Sequence, residues 1–520
     1  MSGTTDSSQE IGEELIPGLV STASAPDRTP QVLGWLATGS ILVSTAIMVA
    51  ACAVRNSWEH PFIVLPATGP PWGLSLHVSI ALVTVAMWLA ALLAGGGVLA
   101  GLAALKRGGR LPIRLLLSAG IAAAALFTVL PPTGSTDALD YAAYGRMVVL
   151  GHSPYVMTPK QLFRSGDPIG RDVPHDWRKH VTVYGPLATA EQYAAAALGG
   201  LSAARIIFWL KLWNLLAFGA LALALDRLLR YDPARRARGH LLWTANPLLL
   251  WILVAAGHID LLAGAFGFFG LLMLRKREPA DPEPGALRGL AAGLLVGVAA
   301  DLKISYVLFG LGLAWAARRS LATWFSAAAG GAIVLLPTYL WFGPPAAKAL
   351  IARDGQASVD SFYQLFVGSY GKILPHQLLV AGVAFIGIAA LMLWRFPEGA
   401  PGLPAVRPAL ALSVAWLFVW PYQLPWYDTM VICLIVLYPA SRLDWLVVVR
   451  MTAATFALMP GNAGYPRQHL LKVITSDSLY YLAPAVLLAA AVALVWLCRT
   501  GRWDMGPVFK PREAEVPLLV

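Results

Sequence analysis

The sequence predicts an all-α polytopic membrane protein, with about 14 transmembrane helices and a large extracytoplasmic loop after the third. Three observations predict this class. Of 520 residues, 58% are hydrophobic and only 13% are charged, with a mean hydropathy of +0.64; a soluble chain carries roughly a quarter charged residues. The apolar residues come in runs of about 20, which as helix cross a hydrocarbon core of roughly 30 Å. Lys and Arg gather in alternate connections between the runs, the asymmetry that orients membrane proteins.

In chain order, residues 1–30 are rich in Ser, Thr, Pro and acids and lack the basic and apolar regions of a signal peptide. They read as a disordered cytoplasmic tail. A transmembrane domain is expected over 31–500 and a second cytoplasmic tail over 501–520. The first spans fall at 32–53, 73–105, 111–131, 203–228, 240–256, 259–275 and 286–301. The others fall at 304–318, 321–342, 376–395, 407–421, 426–440, 443–459 and 479–498. The second run, with Gly95-Gly96-Gly97 inside it, suits a tilted helix or a shorter one with a frayed end. Arg275–Pro284 reads as an inner linker, and no fixed-period repeat is present.

With the N-terminus inside, the inner connections hold Lys106, Arg107, Arg110, Arg227, Arg230, Arg235, Arg236, Arg238, Arg318, Arg319 and Arg499. The net charge of +11 is therefore mostly topology, and no nucleic-acid role is needed to explain it. The three cysteines, Cys52, Cys433 and Cys498, lie in apolar runs, which argues against a disulfide framework or a thiolate metal site. This orientation turns every polar, chemistry-bearing segment outward, beginning with the long loop 133–202.

That loop opens with STDALDYAAYGRMVVLGHSPY, Ser135 to Tyr155, directly after the apolar run that ends in Pro131-Pro132. Asp137 and Asp140 lie one helical turn apart, and either can simply cap a short helix. A cap needs one polar residue, however, whereas here two acids precede Tyr141, Tyr144 and Arg146. A carboxylate there suits a general base, aromatic faces suit a sugar or lipid head, and arginine suits phosphate. Asp137 is favoured as base, with Asp140 a turn deeper, pairing with Arg146 or binding acceptor.

Further candidates line the same face. Tyr155 closes the segment, and Tyr184 precedes an Ala-rich stretch with Glu191, Gln192 and Tyr193 that reads as an interfacial or re-entrant helix. His258 and Asp260 separate two apolar runs; as a metal pair they are weak, since no third ligand is specified, and they suit substrate hydroxyls better. Lys303 either neutralises Asp301 or meets a phosphate entering from the membrane. Trp426 and Tyr427 serve either as an aromatic belt or as site walls. Arg467, Gln468, His469 and Lys472 read as a solvated loop. Lys211 and Arg450, inside apolar runs, keep a non-enzymatic lipid or sugar transporter as an alternative. No phosphate-binding loop, CxxC or nucleophile elbow occurs, which points to a substrate already activated and lipid-borne.

The loop segment resembles the first extracytoplasmic loop of GT-C-type glycosyltransferases, and more narrowly the polyprenyl-phosphate-mannose-dependent α-1,6-mannosyltransferases of actinobacteria. The likeness continues through Val183-Tyr184-Gly185-Pro186, Asn246-Pro247-Leu248, His258-Ile259-Asp260, Leu302-Lys303-Ile304 and Pro425-Trp426-Tyr427. It implies a GT-C-like fold in the cytoplasmic membrane, a polyprenyl-phosphate sugar donor, a glycolipid or mannan acceptor, and catalysis on the outer face. Its first-loop acid corresponds to Asp137. The mechanism implied is a single inverting displacement with Asp137 as base and Lys303 or Arg146 beside the leaving phosphate. Sister enzymes transfer arabinose or glucose, so the sugar stays open at this point. Oligomeric state is open too, as is a cofactor, with a divalent cation compatible with acids and lipid phosphate.

Overall fold

The computed structural model describes residues 28–54, 64–76, 78–175, 177–276, 281–282, 284–351, 357–367, 373–398, 402–459 and 468–504. Most of the two expected tails, at 1–27 and 505–520, therefore lies outside the described residues, as do parts of the linker after Arg275.

Regular structure among the described residues is helical, apart from two isolated bridges. The chain begins with α1 (Thr29–Ala53), α2 (Ile80–Lys106) and α3 (Ile113–Val129), then crosses a short helix α4 (Asp137–Val149). Next come α5 (Pro186–Gly199), α6 (Ala203–Leu228), α7 (Pro233–Ala255), α8 (Asp260–Leu272), α9 (Ala286–Leu302) and α10 (Ile304–Ala317). The last third holds α11 (Leu321–Phe342), α12 (Pro375–Arg395), α13 (Val406–Val419), α14 (Pro425–Ile435), α15 (Arg442–Leu458) and α16 (His469–Thr500). The chain is thus a multi-pass membrane protein.

Each expected run forms a helix, yet only six of them are long and apolar enough to span, or seven counting the bent pair α7–α8. One of the shorter helices is apolar without facing lipid. Every residue of α14 is buried, so its run is apolar because protein surrounds it, not lipid. By contrast, α11 and α12 expose Leu336, Leu340, Trp341, Val383 and Ile386. Composition alone cannot separate these two reasons for being hydrophobic.

Close helix contacts rest on small residues. Gly289, Gly293 and Gly297 repeat every fourth position along α9, so they share one face. A Cβ on Gly293 would meet the Ala327 carbonyl of α11, and one on Gly330 would meet the Leu290 carbonyl in return. Backbone approach of this kind gains packing that the apolar bilayer cannot supply by exclusion. Between α1 and α2, Ser44 donates to the Ala90 carbonyl at 2.7 Å.

At the centre, α7 and α8 meet at a bend of 114°. Residues 237–261 are buried without interruption. Gly257 makes this turn with φ 75°, a conformation that favours glycine. Asn246 accepts the Leu248 N–H and so restarts the helix at Pro247.

The basic end of the bundle is not only a topology marker. Arg238, wholly buried, makes a fork with Asp444 at 2.7 and 2.6 Å and donates to the Tyr438 carbonyl at 2.8 Å. Asp226 accepts from Arg236 and lies 2.8 Å from His240 Nε2. These groups tie α6, α7 and α15 together at that end, while the bend at Gly257 lies at the other.

Two stability measurements follow. Gly293→Val should destabilise the fold by at least about 2 kcal/mol in thermal unfolding in detergent. Gly39→Val, where a Cβ meets nothing, should stay within about 0.5 kcal/mol. On α5, burial pushes the Glu191 carboxyl up from 4.5 to about 8, so the folded chain holds a proton that the unfolded chain releases above about pH 4.5. Stability is therefore lost between pH 4.5 and 8. Glu191→Gln should match the parent melting temperature near pH 5 and exceed it progressively up to pH 9.

Candidate active site

Four helix ends converge beside the Gly257 bend. They bring Asp137 from the start of α4, His258 and Asp260 from the α7–α8 turn, Lys303 from the end of α9, and Trp426 and Tyr427 from the start of α14. Residues separated by up to 290 positions thereby share one neighbourhood, where the sequence had placed them only on a common face.

Asp137 is the first residue of α4, where the helix dipole favours an ionised carboxylate. Its N–H donates to the Ser135 hydroxyl at 3.2 Å, so the local turn is closed by Ser135. The Asp137 side chain retains 17% exposure, against none for Asp260. Its Oδ2 lies 3.8 Å from His258 Nδ1, beyond hydrogen-bond length and wide enough to admit a small adjustment. Asp140, one turn further on, is 5% exposed and forms part of the packed face of α4.

His258 is fully buried and neither ring nitrogen has a hydrogen-bond partner. Its ring stacks on Trp426 with centroids 3.9 Å apart and planes 20° from parallel. Asn214 donates to the His258 carbonyl at 2.9 Å, fixing the turn from behind.

Lys303 donates to Asp260 Oδ2 at 2.7 Å, and its ammonium lies 4.0 Å from the Tyr427 ring centroid. This corrects the reading in which Lys303 neutralises Asp301. Asp301 instead accepts the Leu187 N–H at 2.9 Å and the Thr338 hydroxyl at 2.7 Å. The reason is geometric: α9 ends at Leu302 and Lys303 is extended, with φ −150° and ψ 120°, so the two side chains diverge. Asp260 Oδ1 is buried without a partner. Trp426 and Tyr427 are buried at 6% and 9% exposure and wall the site, which overturns the aromatic-belt reading.

Tyrosines form the opposite wall. The hydroxyls of Tyr141 and Tyr184 lie 3.0 Å apart, and their rings meet edge to face at 5.1 Å. Burial first, then nearby charge from Asp137, holds the Tyr184 hydroxyl well above the usual phenol range, so it stays neutral. Tyr155 donates to the Tyr184 carbonyl at 2.9 Å and lies 3.0 Å from the Thr189 hydroxyl. It supports Tyr184. Gly185 lets this segment lie directly on the Asp301 backbone, where any Cβ would collide.

Other sequence candidates lie in the loop scaffold. Arg146 pairs with Asp167 at 2.7 Å, and Tyr144 donates to the His180 carbonyl at 3.3 Å. Both pin the loop, which leaves Lys303 as the cation of the constellation. Gln468, His469 and Lys472 are exposed, as a solvated segment should be, and Arg467 lies outside the described residues. Lys211 caps the end of α3 by donating to the Leu130 carbonyl at 2.7 Å. Arg450 is paired with Asp428 at 2.6 Å. No group of three His, Cys, Asp or Glu able to share a metal ion occurs among the described residues.

Comparison with known proteins gives one family. Residues 31–319, more than half the chain, match the family model described as alpha-(1->6)-mannopyranosyltransferase, N-terminal domain. The match includes Asp137, Tyr184, His258, Asp260 and Lys303, whereas Trp426 and Tyr427 follow it in the chain. No curated protein matches. Among solved structures, the crystal structure of ArnT from Cupriavidus metallidurans bound to undecaprenyl phosphate is similar at 16% identity and a TM-score of 0.34. The similarity covers 74% of this chain and 77% of that one. On the family match the chain belongs to the alpha-(1->6)-mannopyranosyltransferases, and it is a glycosyltransferase.

Proposed function

We propose that the protein transfers mannose from polyprenyl-phosphate mannose to a hydroxyl of a mannan or lipomannan-type acceptor. The transfer takes place on the outer face of the cytoplasmic membrane, with inversion and an α-1,6 product. One observation carries this reading: a single partly exposed carboxylate, Asp137, opens beside a buried ammonium, Lys303, in a box of aromatic rings. Family membership supports the mannosyl group. Positive-inside asymmetry supports the outer face, and the GT-C resemblance of the sequence supports the lipid carrier.

Asp137 takes the proton of the acceptor hydroxyl, whose oxygen forms a bond to the anomeric carbon as the bond to the phosphate oxygen breaks. The electron pair leaves on the polyprenyl phosphate. Inversion to an α product requires a β-configured donor. Negative charge grows on the phosphate in this step, and Lys303 offsets it electrostatically from a site that excludes most water. The Tyr427 ring beneath the ammonium holds that charge in place. His258, held by Trp426, sets an imidazole nitrogen against one side of the Asp137 carboxylate.

The reaction uses one essential base, so its removal should affect turnover rather than binding. In liposomes supplied with polyprenyl-phosphate mannose and a short α-mannoside, Asp137→Asn should lower kcat by about 100-fold or more with carrier binding retained. Near-parental turnover would exclude Asp137 as base. Lys303→Met alone leaves Asp260 buried and uncompensated, so the informative variant is Lys303→Met with Asp260→Asn. That pair should remain folded and lose transfer. Offering arabinose and glucose carriers in the same assay separates the mannose reading from the sister sugars.

A further inference from the structure

On the far side of the Pro425–Asp428 turn lies a second set of buried polar groups that the reaction above does not use. Asp360, Gln364, Gln423, Asp428 and Arg450 are each 5% exposed or less. They come from three separate segments, so their meeting is a product of the fold. Some of their atoms are occupied. Arg450 donates from Nη1 to Asp428 Oδ1 at 2.6 Å and from Nη2 to Gln423 Oε1 at 2.8 Å. Gln364 Nε2 donates to the Ser358 carbonyl at 3.1 Å. The Ser358 hydroxyl, beside Asp360, donates to the Gln423 carbonyl at 2.8 Å.

The remaining atoms are buried and make no hydrogen bond. They are both oxygens of Asp360, Asp428 Oδ2, Gln364 Oε1, Gln423 Nε2 and Arg450 Nε. Six such atoms in one neighbourhood call for partners, and each costs about 1–3 kcal/mol if neither water nor a ligand meets it.

The mixture of donors and acceptors selects the occupant. A metal cation would find acceptors but would face the Arg450 guanidinium. An anion would find two donors but would face two carboxylates. An uncharged ligand bearing several hydroxyls satisfies both kinds, because each hydroxyl donates once and accepts twice. Asp428 lies on the same short turn as Trp426, which stacks on His258 beside Asp137.

The geometry points to a pyranose-binding subsite formed by Asp360, Gln364, Gln423, Asp428 and Arg450, which hold sugar hydroxyls behind the Trp426–Tyr427 turn. Its identification as a mannosyl subsite rests on the proposed transfer reaction; its preference for a neutral polyhydroxyl ligand does not. The sugar comes either from the acceptor glycoside or from the donor.

The full chain in lipid nanodiscs provides the test, with two probes: α-1,6-mannobiose, and a short-chain polyprenyl-phosphate mannose. Binding of each is measured by saturation-transfer NMR, without reliance on turnover. Asp360→Asn and Gln364→Leu should each weaken one probe by about 10-fold, while melting temperature and chromatographic behaviour stay close to the parent. Loss confined to mannobiose assigns the subsite to the acceptor, and loss confined to the carrier assigns it to the donor sugar. Unchanged binding of both probes in both folded variants would overturn the subsite and leave the cluster to water alone, as would absence of binding by the parent. Asp137→Asn should bind the subsite's probe normally. If that variant still transfers mannose while Asp360→Asn loses its probe, the base assignment fails and the subsite stands.

Discussion

The pairing of Lys303 with Asp260 is the interaction on which the site depends. An ammonium and a carboxylate taken out of water lose several kcal/mol of solvation each, and only close geometry recovers that loss. The contact of 2.7 Å and the Tyr427 ring at 4.0 Å supply the geometry. Neither partner can drift, because Tyr306 donates to the Asp260 carbonyl at 2.8 Å. Lys303 itself emerges from a helix packed through Gly289, Gly293 and Gly297. The pair is therefore enclosed by close backbone packing on one side and an aromatic ring on the other.

Other buried charges in the chain show what full compensation looks like. Arg238 has five acceptor atoms within hydrogen-bond reach and joins α7 to α15 and to the end of α14. Asp301 has both oxygens occupied, by Leu187 and Thr338, and holds α5 against α9 and α11. Around Asp137 the pattern changes. Both nitrogens of His258 and one oxygen of Asp260 are buried without partners. The acceptors around Arg238 and the carboxylate of Asp301 are engaged, whereas the groups around Asp137 keep open atoms. An unsaturated, rigid set of dipoles is what stabilises a developing charge without reorganising.

The sequence makes the one-sidedness of this arrangement legible, and its pairings illegible. Asp137, Tyr141, Tyr184, His258, Asp260, Lys303, Trp426 and Tyr427 all stand at breaks in apolar runs, where a polar residue is costly without a use. Run length and basic asymmetry then place those breaks on one face. Pairing is a matter of direction instead. Asp301 is two residues from Lys303 and looks like its partner, yet the helix ends between them and the partner is 43 positions away. Arg146 and Asp140 sit on one short helix, but Arg146 reaches Asp167 across the loop. Stacking of His258 on Trp426 joins residues 168 positions apart, and no local spacing encodes that. Apolar composition is ambiguous for a related reason: α14 is as apolar as a lipid-facing span because it is enclosed by protein.

Three acids stand in or beside the site, and their surroundings give them different work. Asp260 is enclosed and ion-paired, so taking up a proton would remove the negative charge that compensates Lys303. Asp140 is packed into the inner face of α4, away from the helix end. Asp137 alone combines the favourable field of a helix N-terminus with partial exposure. On the proposed reading it meets the acceptor and releases its proton to water afterwards, while Lys303 serves the lipid-borne donor. The loop that carries α4 is itself fastened, by Arg146 to Asp167 and by Tyr155 to the Tyr184 carbonyl. Asp137 and Lys303 are thus held by two separately braced parts of the fold, which meet where Gly185 and Leu187 lie on Asp301. Displacing either part would change the distance between them without altering the chemistry of any residue.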